Sequence, residues 1–115
     1  MSRRIGQQKE AQAEQYLQRH GLTTLARNYL GPHGEIDLIM RDSSTLVFVE
    51  VRFRRGQRFA SAAESIDRRK QQRLIATAEG YLLQNPALRN QPCRFDVLAC
   101  DGDNACNWIK NAFEA

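Results

Sequence analysis

A chain of 115 residues that is 42% hydrophobic and 26% charged can fold around one core but not two, so residues 1–115 are read as a single domain. The same balance excludes the disordered and collagen-like classes. The net charge of +4 is modest, and its distribution along the chain carries more information than its total.

The first ten residues hold charges with no apolar stretch behind them, which argues against a secretory signal. No run approaches the length needed to cross a bilayer, so a soluble, cytoplasmic protein without a membrane partner is expected. Cys93, Cys100 and Cys106 lack the paired short spacings of zinc sites, and only His20 and His33 could assist. Reduced, structural thiols are expected.

In chain order, Gln7 to His20 suits a helix with Ala13, Tyr16 and Leu17 on a narrow apolar stripe and Gly21 placed to end it. Glu10 falls on that stripe, an unusual position for a carboxylate. Leu22 to Leu30 reads as a strand closed by the turn Gly31 to Gly34, Glu35 to Met40 as a second strand, Arg41 to Ser44 as a turn, and Thr45 to Phe53 as a third strand. The third strand is apolar on both faces until Glu50, as a strand covered on each side should be. Ser65 can cap a helix running to about Gln84, with Leu74, Ala78, Tyr81 and Leu82 inward and Lys70 on the same face. Pro86 ends it. Arg94 to Cys100 is a strand, Asp101 to Asp103 a turn, and Asn107 to Phe113 a last element of unassigned type.

Alternation along a strand puts Glu35 with Asp37, and Glu50 with Arg52. In a hairpin turning near Asp42 to Ser44, Asp37 and Glu50 come roughly opposite each other. Two carboxylates in a sheet interior repel and lose solvation, so they need a positive charge, which a divalent cation such as Mg²⁺ supplies together with water activation. Arg52 is placed to hold a phosphate. The other reading of these residues is a set of ion pairs, Glu50 with Arg52 or Arg54, at the exposed end of a hairpin.

Between Arg52 and Arg73 lie eight cations against Glu64 and Asp67. Arg54, Arg55, Arg58, Arg69 and Arg73 are the candidate phosphate contacts, and a solvated basic surface is the competing account. Phe53, Phe59 and Tyr81 are candidate stacking groups, and a place in the core is the favoured account of each.

Three stretches, Gly34-Glu-Ile-Asp-Leu-Ile39, Phe48-Val-Glu-Val-Arg52 and Arg94-Phe-Asp-Val97, resemble the YraN-like family of small bacterial proteins, a branch of the PD-(D/E)XK nuclease superfamily. The likeness extends to Glu10 to Leu17, to Asn28-Tyr29 and to Trp108 to Phe113. It implies a restriction-endonuclease-like α/β core of order αβββαβ, a mixed central sheet flanked by helices. Asp37 and Glu50 would hold Mg²⁺ or Mn²⁺, Glu10 would be a further acidic ligand, and Glu35 is left outside the ligand set. Arg52 stands where the superfamily motif has lysine, and Lys70 could supply the missing ammonium, so Asp37, Glu50, Arg52 and Lys70 form the expected catalytic set. The implied activity is metal-dependent cleavage of nucleic acid, DNA ahead of RNA. Binding without turnover, and a protein-interaction scaffold, are the other two functions considered.

Overall fold

The structure, a computed structural model, describes residues 2–53, 66–100 and 106–115, with side chains from Glu10 onward. Helix α1 (Ser2–Arg19) leads into strands β1 (Thr23–Gly31), β2 (Gly34–Asp42) and β3 (Thr45–Phe53). Helix α2 (Arg68–Gln84) and a short 3-10 turn (Pro86–Leu88) follow, then β4 (Cys93–Cys100) and β5 (Cys106–Phe113). The five strands form one mixed sheet in chain order, with β3 and β4 parallel and every other pair antiparallel. The αβββαβ order holds, and the element of unassigned type is the edge strand β5.

Each helix covers one face of this sheet because each has a single apolar stripe. Ala13 and Leu17 of α1 pack with Leu38, Met40, Val47, Val49 and Leu98. Leu74, Ala78 and Tyr81 of α2 pack on the opposite face with Ile39, Leu46, Phe48, Phe95 and Val97. Strand β3 sends alternate residues into both clusters, and Leu46 to Glu50 are all buried. Each large apolar side chain buried this way contributes about 1.5–3 kcal/mol. Tyr81 is therefore a core residue, and Phe53 packs beside the α1-side cluster. Phe59 lies outside the described residues.

The ends of the helices follow local chemistry. Gly21, at φ 96°, closes α1: the Leu22 amide bonds the Leu17 carbonyl and the Gly21 amide that of Gln18, a left-handed cap that suits glycine. Helix α2 starts later than the sequence reading placed it. Asp67 caps it by accepting the Lys70 amide at 2.8 Å, whereas Ser65 lies outside the described residues. Two-residue turns at Pro32-His33 and Ser43-Ser44 close the hairpins.

The reduced-thiol expectation is corrected for two of the three cysteines. Register sets Cys100 directly opposite Cys106 on the β4–β5 hairpin, their Cα atoms 4.0 Å apart, and the two are joined as a disulfide. Cys93 is free and exposed. No helix among the described residues is long and apolar enough to cross a membrane.

A candidate metal centre where β2 twists

Asp37 occupies the point where β1 and β2 change faces. Ala26 and Ile39 belong to the α2 side, while Arg27 and Leu38, the next pair, lie on the α1 side, where Arg27 bonds Glu14. Two residues on, Tyr29 and Ile36 are back on the α2 side. Simple alternation would have kept them with Arg27 and Leu38. The break falls at Asn28, whose φ of 49° is left-handed, a conformation that asparagine tolerates better than most residues.

The twist gathers three carboxylates from two elements. Glu10 of α1, and Glu35 and Asp37 of β2, each offer an oxygen within 4.8 Å of the others. Asn28 ties two of them, its Nδ2 donating to Glu10 Oε1 at 2.7 Å and Glu35 Oε2 at 3.2 Å. The β2–β3 ladder runs from Asp42 and Thr45 to Leu38 and Val49, and the same register brings Asp37 opposite Glu50. There the Asp37 carboxylate replaces a backbone partner and accepts the Val51 amide at 2.9 Å.

Burial pushes the Asp37 carboxyl up to about 8, and the Glu50 charge adds to the rise. The Val51 amide pulls the other way, and the charges of Glu10 and Glu35 raise it further. Glu50 is 6% exposed. Its Oε2 lies 3.3 Å from Arg52 Nη2 and 3.6 Å from Lys70 Nζ. Its Oε1 is buried without a hydrogen-bond partner, as is Arg52 Nε. The ion pair between Glu50 and Arg52 exists, but in the sheet interior and not at an exposed hairpin end.

These residues suit a hard divalent cation. All the donors are carboxylate oxygens, and opposite ligands of Mg²⁺ stand about 4.1 Å apart, within a small side-chain adjustment of the spacing here. An orphaned buried carboxylate oxygen beside a second carboxyl that resists ionisation lacks positive charge. Glu35, left outside the expected ligand set, sits in the acidic group with Asp37 and Glu10. Glu50 stands beside that group as the largest charge acting on Asp37.

Lys70 reaches the site from the first turn of α2, as its position before Leu74 implied. Arg69 and Arg73 are exposed on the same helix. Arg54, Arg55 and Arg58 lie outside the described residues. Two further features were missed in the sequence. Asn28 organises the acidic group, and its left-handed backbone leaves no mark in composition. Asp96, 1% exposed, is the most deeply buried carboxylate among the described residues, bonded by Arg94, Trp108 and the Asn111 amide.

Fold and site together define a mixed α/β protein with an acidic centre at a sheet twist, flanked by a lysine and an arginine. The chain belongs to the uncharacterised protein family UPF0102, whose family model matches residues 9–100 and so spans Glu10, Glu35, Asp37, Glu50, Arg52 and Lys70. A UPF0102 protein of Saccharophagus degradans is 53% identical over 108 residues, covering 94% of this chain and 91% of its own. Another, from Pseudomonas putida, is 50% identical over 115 residues, covering 96% and 94%. A third, from Pseudomonas fluorescens, is 45% identical over 118 residues, covering 99% and 96%.

Proposed function

We propose that the chain is a metal-dependent nuclease with a restriction-endonuclease-like core of the PD-(D/E)XK type, hydrolysing phosphodiester bonds in nucleic acid, DNA ahead of RNA. The observation that carries the reading is the Asp37–Glu50 pair: two carboxyls with too little compensating charge, next to two cations suited to a phosphate. Asp37 and Glu50, assisted by Glu10 and Glu35, would hold Mg²⁺ or Mn²⁺, with Asp37 binding as the ionised carboxylate. When bound, the metal lowers the pKa of a water ligand and neutralises charge on the phosphate. Arg52 offers its buried, unpartnered Nε and its Nη2 as fixed donors to a phosphate oxygen. Lys70, drawn in by Glu50, provides the ammonium that the superfamily motif carries at the position of Arg52.

The departure at Arg52 favours a second reading, nucleic-acid binding without turnover, because a guanidinium does not give up its proton and cannot act as a base. Incubation with duplex, nicked, branched and single-stranded substrates separates the two, with Mg²⁺, Mn²⁺ or chelator present. Cleavage that requires metal supports the nuclease. Binding without any cleavage, under metals shown to bind, supports the second reading. In either case the cations from Arg54 to Arg73 should make binding salt-dependent, with a slope of about −3.6 in log affinity against log salt for four phosphate contacts on duplex DNA.

A further inference from the structure

Next to the acidic centre lies a cavity of about 280 Å³ between the β1–β2 turn and the first two turns of α2, lined by His33, Gly34, Glu35, Lys70, Arg73 and Leu74. We propose that this cavity is a phosphate subsite, formed by His33, Lys70 and Arg73, that holds the phosphate neighbouring the one positioned by Arg52. The identity of the substrate rests on the nuclease reading. The chemistry of the cavity does not.

The turn is seated on the helix by close contact. A Cβ on Gly31 would stand 3.4 Å from Thr77 Cγ2, and one on Gly34 would stand 3.9 Å from Thr77 Oγ1. Gly34 also has φ 143°, which a side chain would strain. Thr77 follows Arg73 by one helical turn and bonds its carbonyl at 2.7 Å. The same contact therefore sets His33, at the tip of the turn, over the helix turns that carry Arg73 and Lys70.

The lining has the donors a phosphate needs. Arg73 makes no ion pair with any described residue, although an exposed arginine on a helix commonly finds one. The His33 imidazole donates an N–H in either protonation state. Glu35 is the one carboxylate among the described lining residues, and the Asn28 amide holds it on the side of the acidic group. The volume falls just below the roughly 300–1,000 Å³ that encloses a whole small-molecule ligand, so the cavity suits a phosphate with part of its sugar.

Position connects the cavity to the acidic centre through shared walls. Glu35 belongs to the acidic group, and Lys70 Nζ lies 3.6 Å from Glu50. A cation bound at that group would neutralise Glu35, so metal and phosphate should bind with positive coupling, each raising the affinity of the other by the same factor.

The test follows the histidine and arginine side-chain NMR signals of the full chain. The probes are inorganic phosphate, a thymidine dinucleotide and the same dinucleotide with a 5′-phosphate. All three should shift His33 and Arg73 and leave His20 unmoved, and Arg73→Ala should weaken phosphate binding about tenfold, the value of one charge-assisted contact. Preference for the 5′-phosphorylated probe assigns the subsite to a strand end, and equal binding of the plain dinucleotide assigns it to an internal phosphodiester. Equal shifts at His20, or an unchanged affinity in Arg73→Ala, overturn the proposal. If phosphate binds there while no substrate is cut, the nuclease reading fails and the subsite stands. If metal-dependent cleavage occurs and Arg73→Ala changes neither phosphate affinity nor KM, the subsite fails and the nuclease stands.

Discussion

Asp96 and Asp37 are both carboxyls held within one five-stranded sheet, yet their surroundings differ in kind. Asp96 accepts from Arg94 Nε at 3.1 Å on both oxygens, from Trp108 Nε1 at 2.8 Å and from the Asn111 amide at 2.9 Å. Arg94 extends the network to Asp42 at 2.9 Å. Among the described residues, Asp37 has the Val51 amide at 2.9 Å and the charges of Glu10, Glu35 and Glu50 beside it. Asp96 is 1% exposed and Asp37 only half-buried, so depth of burial cannot be what marks a site. The difference is compensation: the first carboxylate is complete within the chain, and the second is short of positive charge that a cation from outside can provide.

The contrast can be broken most sharply at the deficient end. Glu50→Gln and Asp37→Asn should each abolish measurable Mn²⁺ binding by calorimetry and reduce metal-dependent cleavage by more than about 1,000-fold, beyond what one preorganised donor usually supplies. Retained metal affinity in both variants would mean that the cation is held elsewhere. At the complete end the loss should fall on stability instead. Asp96→Asn leaves the buried part of Arg94 undercompensated and should cost about 3 kcal/mol in denaturant unfolding, with metal affinity per folded molecule unchanged. A change below 1 kcal/mol there would show that the network around Asp96 adds little.

Arg52 tests how the cations divide their work. Removing the guanidinium in Arg52→Ala should lower cleavage about 100-fold with a smaller loss of affinity, as expected for a donor that acts on developing charge. Arg52→Lys should retain activity or raise it, since it restores the ammonium of the superfamily motif. Wild type and Arg52→Lys that both bind substrate and metal but cut nothing would favour the binding-only reading.

Much of this contrast was legible in the sequence, and the limits have physical causes. The β2–β3 hairpin could be aligned because Glu35 to Met40 and Thr45 to Phe53 are strand-like segments rich in apolar residues about a short turn, and that register brings Asp37 to Glu50. Lys70 followed from helical spacing. Glu35 joins the acidic group through the twist at Asn28, where a positive φ interrupts the alternation that sequence patterns rely on. Strand β5 was obscured because it is an edge strand with a register shift opposite Phe95 to Val97 and a left-handed Asn111. The same hairpin makes partners of Cys100 and Cys106, whose pairing depends on a register that spacing alone does not define. The start of α2 moved because Ser65 and Asp67 are both good capping residues, and the geometry that selects Asp67 is tertiary.

A further effect is expected on the stability of the metal-free protein, and its sign follows from linkage. The Asp37 carboxyl has an ordinary value of 3.8 and is pushed up to about 8 in the folded chain. Between those values the folded state holds a proton that the unfolded state has released, so this residue makes stability fall as pH rises from about 4 to about 8. Its contribution is fully present below pH 4 and gone above pH 8. Asparagine resembles the protonated carboxyl and does not titrate, so Asp37→Asn should match wild type near pH 4. At pH 8 and above, in chelator, it should be the more stable by several kcal/mol, because each pH unit crossed between 3.8 and about 8 costs wild type about 1.4 kcal/mol. Saturating Mn²⁺ should reverse the order, because only wild type gains binding energy and it does so most where Asp37 is ionised. Parallel pH profiles for the two proteins in chelator would show that the Asp37 proton is not linked to folding, and that the carboxyl is compensated by the chain after all.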